Sequence, residues 1–258
     1  MIIRFIMTNP RQDKLLQLVI DKGYCTVEEL AETLDVSTQT IRRDIKKLSD
    51  ERLIVRHHGG ASSPSSTVNL DYEIRKVSET EEKNAIGARI AEMIPDNSTV
   101  FLTIGTTTEV IASHLLKKSN LQVITNSLRV ANVLHSNKSF DVLIPSGKIR
   151  ASNGGIVGTE AIDFIKNFRF DYLVTSAGSI DEDGTLLEYD LNETAISQSV
   201  IKSARNVYVA LDSTKYTPKG SIELGHISEA TVFFTDEMPP DDIKEVLDQS
   251  RVKLEICN

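Results

Sequence analysis

Ser37-Thr38-Gln39-Thr40-Ile41-Arg42-Arg43-Asp44-Ile45-Lys46-Lys47-Leu48 decides how the first quarter of this 258-residue chain is read. The Ser37 hydroxyl can accept a hydrogen bond from the first free N–H groups of a helix. Ile41, Ile45 and Leu48 follow at i, i+4 and i+7 and so share one face. At 3.6 residues per turn, Gln39, Arg43 and Lys46 fall nearly opposite that face, with Arg42 and Lys47 flanking. Gln pairs bidentately with adenine and Arg with guanine, while Lys suits phosphates. An ordinary surface helix with a solvated charged face would show the same pattern, so its neighbours must decide.

Upstream, Asp13 to Lys22 has the pattern of a helix with Leu15, Leu16, Leu18, Val19 and Ile20 inward, and Gly23 ends it. Thr26-Val27-Glu28-Glu29 is a capping box that opens a second helix with Val27, Leu30, Ala31 and Leu34 on its inner face. Asp35-Val36-Ser37 is a tight turn between the two, which is the helix-turn-helix layout. Downstream, Leu53-Ile54-Val55-Arg56 reads as a strand and Gly59-Gly60 as the turn beyond it. This predicts a β-hairpin wing, with Arg56, His57 and His58 touching backbone or minor groove. A metal site on the two His is disfavoured, because neighbouring side chains of a strand point to opposite faces. The expected DNA-facing set is Thr38, Gln39, Thr40, Arg42, Arg43, Lys46, Lys47, Arg56, His57 and His58, in a domain spanning 8–61.

Charge is distributed accordingly. The net charge is −8, yet residues 1–60 carry ten Lys and Arg against nine Asp and Glu, and the remaining 198 carry nineteen against twenty-eight. From Arg42 to His58, six cations face three carboxylates. Basic charge is focused on the proposed reading helix, while an acidic remainder discourages indiscriminate DNA binding. Cys25 and Cys257 match no metal or redox spacing and read as reduced, structural thiols of a cytoplasmic protein. No apolar run reaches the length of a membrane span, and Met1-Ile2-Ile3-Arg4-Phe5-Ile6 is too short for a signal peptide. Met7-Thr8-Asn9-Pro10 reads as a natural polar start, so Met7 is the expected initiator.

Ser62-Ser63-Pro64-Ser65-Ser66 is a polar break, and 62–77 is read as a linker. Ser78-Glu79-Thr80-Glu81 is a further capping box, opening a helix with Ile86, Ile90, Met93 and Ile94 on one side. Beyond Thr99, apolar runs at Val100–Ile104, Leu121–Thr125, Phe140–Pro145, Phe170–Ser176, Val207–Leu211, Thr231–Thr235 and Val252–Ile256 are mostly separated by helix-period stretches. That alternation predicts an α/β, Rossmann-like, mainly parallel sheet covered on both faces, over 78–258.

Ligands of such sheets bind beyond the carboxyl ends of the strands. Gly105-Thr106-Thr107-Thr108 follows the first strand and opens a helix, where free N–H groups suit an anion. Asn126 and Ser127 follow the second, and Gly147, Lys148 and Arg150 the third. Asp212 and Lys215 follow the strand ending at Leu211. Small residues, hydroxyls and cations together suit a phosphorylated ligand. Asp181, Glu188, Asp190 and Glu193 add carboxylates that can accept hydrogen bonds from sugar or polyol hydroxyls. Glu182 and Asp183 read as a plain acidic turn, and the spacing is not that of a calcium loop. No cofactor motif is present.

The run from Thr26 to Ala61, with Thr38-Gln39-Thr40-Ile41-Arg42-Arg43-Asp44 and Arg56-His57-His58-Gly59-Gly60-Ala61, resembles the DeoR family of bacterial transcription regulators, and the likeness continues through the C-terminal part. It implies a winged helix-turn-helix joined to a sensor related to sugar-phosphate isomerases, and release of operator DNA on binding a phosphorylated metabolite. Thr80-Glu81-Glu82-Lys83, Ile104-Gly105-Thr106-Thr107, Phe168-Arg169-Phe170-Asp171 and Gly184-Thr185-Leu186-Leu187-Glu188-Tyr189-Asp190 are most like members that answer to glycerol 3-phosphate. Leu191-Asn192-Glu193 and Ser176-Ala177-Gly178 depart from those members, which tend to carry Tyr-His-Glu and Gly-Ile-Ser there. The partners implied are operator DNA, a phosphorylated sugar or polyol, and further copies of the chain in a dimer or tetramer, with no membrane. The competing reading is a sugar-phosphate isomerase with an appended DNA-binding domain, with Glu193, Asp181 or Asp190 as the base.

Overall fold

The structure, a computed structural model, describes residues 10–51, 53–63, 72–77, 80–217 and 220–258. The question of initiation at Met1 or Met7, the Pro64-Ser65-Ser66 part of the linker and the Ser78-Glu79 start of the later capping box all lie outside the described residues. Two compact units divide the chain, Met1–Leu70 and Asp71–Asn258.

The first unit contains α1 (Pro10–Lys22), β1 (Tyr24–Thr26), α2 (Val27–Leu34), α3 (Thr38–Asp50), β2 (Val55–His57) and β3 (Gly60–Ser62). Thr26 closes the expected capping box. Its hydroxyl accepts the Glu29 N–H at 3.1 Å, and its own N–H donates to the Glu29 carboxylate at 2.9 Å. Asp35 turns left-handed at φ 50° to end α2, and the Ser37 hydroxyl accepts the Thr40 N–H at 3.2 Å to begin α3. Leu15, Val19, Leu30, Ile41, Ile45 and Leu48 fill the core between the helices.

The wing differs from its sequence reading in register. His57 pairs with Gly60, so the loop is His58-Gly59, and Gly60 already belongs to the returning strand. The sheet order is β1-β3-β2 and all pairs are antiparallel. Strand β1 was not legible, since three residues are too few to show alternation.

The second unit runs α4 (Tyr72–Val77), α5 (Thr80–Met93), β4 (Thr99–Leu102), α6 (Thr106–Leu115), β5 (Gln122–Thr125), α7 (Leu128–Leu134), β6 (Asp141–Leu143), β7 (Lys148–Ile149), β8 (Ile156–Val157) and α8 (Thr159–Ile165). It continues with β9 (Phe170–Thr175), β10 (Ser179–Ile180), β11 (Thr185–Glu188), α9 (Leu191–Ile201), β12 (Ala204–Ala210), β13 (Ile222–His226), β14 (Val232–Thr235), α10 (Asp241–Ser250) and β15 (Lys253–Ile256). The segment read as linker therefore contains two ordered pieces, Ser62 in β3 and the helix α4.

Seven strands form one parallel sheet in the order β15-β14-β12-β9-β4-β5-β6. Each corresponds to one of the seven apolar runs of the sequence. Alternate residues supply the two cores. Val100, Leu102, Val123, Val174, Tyr208, Ala210 and Phe234 face α5, α6 and α7. Phe101, Ile124, Leu173, Val207, Val209 and Phe233 face α8, α9 and α10. A strand apolar on both sides is what a doubly covered parallel sheet requires. Two additions were not read from sequence: the β7/β8 hairpin and a three-stranded antiparallel sheet ordered β10-β11-β13.

Gly60 is the most constrained glycine of the first unit. A Cβ there would lie 2.2 Å from the Cys25 carbonyl oxygen and 2.8 Å from the Tyr24 hydroxyl, whereas at Gly59 it would meet only that hydroxyl, at 3.8 Å. Gly60→Ala is expected to destabilise this unit by about 1–3 kcal/mol through overpacking against backbone, with Gly59→Ala within about 0.5 kcal/mol of wild type. Thermal unfolding of the two variants checks this, and equal effects would show that the close β1–β3 approach is not limiting.

Candidate functional site

Helix α3 presents Thr38, Gln39, Arg42, Arg43, Lys46 and Lys47 to solvent, and all six are exposed. Thr40 is partly buried and spent on the cap, its hydroxyl 2.9 Å from that of Ser37. In the wing, Arg56 and His58 are exposed. His57 does not join them. Strand alternation turns it inward, where it is buried, with Nε2 2.9 Å from the Ser62 hydroxyl and its ring 5.8 Å from that of Tyr24.

What orients α3 is a residue that the sequence reading passed over. Asp44 is 4% exposed. Its carboxylate accepts Arg11 Nε at 2.6 Å and Gln12 Nε2 at 2.7 Å, both from α1. Lys47 reaches the same partner, donating to Gln12 Oε1 at 3.2 Å. Burial works to raise the Asp44 carboxyl, but the bonds from Arg11 and Gln12, with the charges of Arg11 and Lys47, outweigh it and hold it below its ordinary value. The charged clamp sits between the two helices and leaves the opposite face of α3 clear.

In the second unit, strand order reverses between β4 and β9, so a crevice opens at their carboxyl ends. The Thr103 and Thr175 hydroxyls bridge those ends at 3.2 Å. Gly105 begins α6 without a side-chain cap. Thr106 and Thr107 are buried beside it. Thr108 is structural: its hydroxyl donates to the Thr103 and Gly105 carbonyls, at 2.8 Å each. Ser127 is likewise spent, fully buried and capping α7 through the Val130 N–H at 3.2 Å. Asn126 donates to the Ile156 carbonyl at 3.3 Å. Asp212 caps the 3₁₀ turn Ser213–Lys215 through Oδ1. Asn126 Oδ1 and Asp212 Oδ2 are buried polar atoms with no hydrogen-bond partner among the described residues.

A second group gathers around Glu193. Arg150 pairs with the Glu193 carboxylate and lies 3.4 Å from Asp190, and Asn153 donates to Glu193 at 2.7 Å. Asp190 also caps α9, accepting the Asn192 and Glu193 N–H groups at 2.9 and 3.1 Å. Burial pushes the Glu188 carboxyl up to about 7; the Glu193 charge adds to this, and Arg75 and Lys215 oppose it.

Three expected residues stand apart from both groups. Asp181 accepts the Glu182 N–H at 2.8 Å in the β10/β11 turn, at the opposite end of that hairpin from Glu188. Gly147 and Lys148 are exposed on the β7/β8 hairpin. A Cβ at Gly147 would come within 2.7 Å of the Val157 carbonyl oxygen, so its role is to let the hairpin close.

Four further residues, all in the second unit, were missed. Tyr72 of α4 is buried and its hydroxyl donates to Glu109, in the first turn of α6. The Arg129 guanidinium lies 4.3 Å from the centre of the Tyr72 ring, and that of Arg75 lies 5.4 Å from it. Burial pushes Glu109 up to about 7 against the opposing charge of Arg129. Six residues of α4 give no period to detect, and nothing local to Glu109 or Arg129 points to Tyr72 as a partner.

Comparison with known proteins decides the lineage. A model of the DeoR-like helix-turn-helix domain matches residues 11–67, and one of the DeoR C terminal sensor domain matches 78–237. The chain belongs to the DeoR family. The HTH-type transcriptional repressor CsqR of Escherichia coli K12 is 50% identical over 246 residues, which is 95% of this DeoR-family chain and 94% of that protein. The glycerol-3-phosphate regulon repressor of the same organism is 41% identical over 247 residues, 96% and 98% of the two chains. Among solved structures, ribose 5-phosphate isomerase A from Methanocaldococcus jannaschii is similar at a TM-score of 0.40 and 12% identity, over 53% of this chain and 54% of that one. No helix among the described residues is long and apolar enough to cross a membrane, and no group of three or more His, Cys, Asp or Glu among them could hold a metal.

Glu109 and Glu188 have folded values of about 7 against an ordinary 4.5. Between those values the folded unit binds more protons than the unfolded chain, so its stability falls as pH rises. The second unit is expected to unfold more readily at pH 8 than at pH 5, and the double variant Glu109→Gln/Glu188→Gln to lose much of that difference. Denaturant titration at the two pH values measures it, and an undiminished slope in the variant would remove these carboxyls as the cause.

Proposed function

We propose that this chain is a sequence-specific transcriptional repressor of carbohydrate or polyol catabolism, released from its operator by a phosphorylated metabolite, with glycerol 3-phosphate the first candidate. The observation that carries the reading is the exposed face of α3, held by the Asp44 clamp. It offers one amide and four cations, Gln39, Arg42, Arg43, Lys46 and Lys47, on a rigid helix of the length that a major groove accepts. Arg43 and Gln39 read base edges; Arg42, Lys46, Lys47, Arg56 and His58 hold phosphates. Residues 8–61 read DNA, 78–258 sense the metabolite, and 62–77 connect them. The protein works in the cytoplasm as a dimer or tetramer, because recognition helices of this type read paired half-sites.

In this reading the effector's phosphate sits at the uncapped start of α6, over Gly105, Thr106 and Thr107, with Lys215 as its proposed cation. Its hydroxyls fall toward Glu188, Asn126 and Asp212. The presence of a glycerol-3-phosphate regulon repressor among the full-length relatives supports this choice. The proposed activity is regulation, not isomerisation. Glu193 is paired with Arg150 and accepts a hydrogen bond from Asn153, and Asp190 is engaged in capping α9, so neither is poised as a base.

On a duplex selected by the wild-type chain from a randomised pool, Arg43→Ala is expected to weaken binding by about 1–3 kcal/mol and relax preference at one base pair. Unchanged binding would remove α3 as the reader. A panel of glycerol 3-phosphate, fructose phosphates, glucosamine 6-phosphate, tagatose phosphates and deoxyribose 5-phosphate is expected to contain a compound that releases the wild-type chain. Lys215→Ala and Thr106→Ala are expected to keep DNA affinity while losing that release. Loss of DNA binding in both would overturn the division of labour.

A further inference from the structure

The Arg11–Asp44 clamp is lopsided in depth. The Asp44 side chain is 6% exposed and that of Arg11 36%, so the carboxylate lies inside and the guanidinium reaches solvent. A guanidinium has five N–H donors, and the bonds to Asp44, from Nε at 2.6 Å and Nη2 at 3.3 Å, engage two of them. The clamp therefore fixes a cation beside α3 that has donors to spare.

The helix period tells where that cation lies. At about 100° per residue, going round α3 from its buried face meets Asp44 first, then Lys47, then Arg43. Lys47 donates to Gln12, the chain neighbour of Arg11, so the start of α1 runs along this flank. Arg42 and Lys46 lie on the other side of the outward face. A helix with its side chains is about 10–12 Å across and the major groove about 12 Å wide, so α3 fills the groove and its flanks meet the phosphates of the two walls. Arg42 and Lys46 serve one wall. On the other, Lys47 stands alone unless Arg11 joins it.

We propose that Arg11 is a phosphate-binding residue on that wall: the guanidinium that holds Asp44 through Nε and Nη2 donates through its remaining N–H groups to the DNA backbone beside Lys47. The proposal rests on α3 as the reading helix. Asp44, which anchors Arg11, is set farther round toward the core than Lys47, so Arg11 meets backbone and not base edges. A planar guanidinium can bond a carboxylate on one edge and a phosphate on another, which an ammonium on a flexible stem does less well. Because Asp44 already holds the side chain, little rotamer freedom is lost on binding. The clamp then has two tasks, orienting α3 on α1 and fixing its register on the duplex.

Binding of the full chain to the selected duplex, and to an unrelated duplex of equal length, is measured across a range of salt concentrations. Arg11→Gln, which can still donate to Asp44, is expected to make the slope of log K against log salt shallower by about 0.9, the release of one counterion. It is expected to weaken both duplexes alike, so that their affinity ratio is kept. A residue that only orients α3 would lower that ratio and keep the slope. A wild-type slope overturns the proposal, whether or not the ratio falls. If Arg11→Gln melts below the assay temperature, Arg11→Gln/Asp44→Asn, which removes both charges of the clamp, takes its place with the same change of slope expected. Arg43→Ala that binds the selected duplex like wild type overturns α3 as the reader, and the Arg11 contact with it. Arg43→Ala that weakens binding, beside an unchanged Arg11→Gln slope, overturns the Arg11 contact alone.

Discussion

Strand β4 has β5 on one side and β9 on the other, and the chain leaves it toward first one edge of the sheet and then the other. That reversal is the constraint from which the rest of the second unit follows. The connections on the two sides of β4 cover opposite faces, so α6 and α7 lie on one face and α8 and α9 on the other. Between them the carboxyl ends of β4 and β9 are left uncovered by a crossing helix. The uncapped start of α6 projects there, and the Thr103–Thr175 bridge holds the two strand ends together. A sheet in which every connection ran one way would bury the same apolar surface but leave no such crevice.

Buried and partly buried polar groups are partnered unevenly in the two units. In the first unit Asp44 is fully partnered, with two donors from α1 and a carboxyl held low. A satisfied ion pair of this kind orients one helix on another, which is what a groove-reading surface needs. In the second unit Glu109 and Glu188 sit high, and Asn126 and Asp212 each keep a buried oxygen without a partner among the described residues. Incompletely satisfied polar groups are costly in a scaffold and useful where hydrogen bonds are to be made to something else.

Much of the fold could be read directly. The capping box at Thr26, the turn at Asp35 to Ser37, the inward face of Ile41, Ile45 and Leu48, and all seven parallel strands follow from local pattern. The pieces that escaped are short or depend on partners far away in the chain. Strand β1 exists because Gly60 lets β3 approach it, and the β10-β11-β13 sheet needs a strand more than thirty residues beyond its hairpin. The site was legible as a set of strand ends but not as an arrangement. Thr108 and Ser127 were rightly placed at helix starts yet turned out to serve the helices themselves.

By itself, the sequence determined the two-part organisation, the helix-turn-helix with its cationic outer face and the class of sheet, and it pointed to the strand ends as the proposed place of a ligand. These rest on periodicity, capping and charge, which act over a few residues and are written locally. Only the tertiary structure decided that His57 faces inward, that Asp44 is the clamp beneath α3, that Asp181 stands away from Glu188, and that Arg75, Glu109 and Arg129 meet around Tyr72. Such meetings are set by the pairing of strands and helices from distant parts of the chain, and no local pattern encodes which distant residues will share a few ångströms of space.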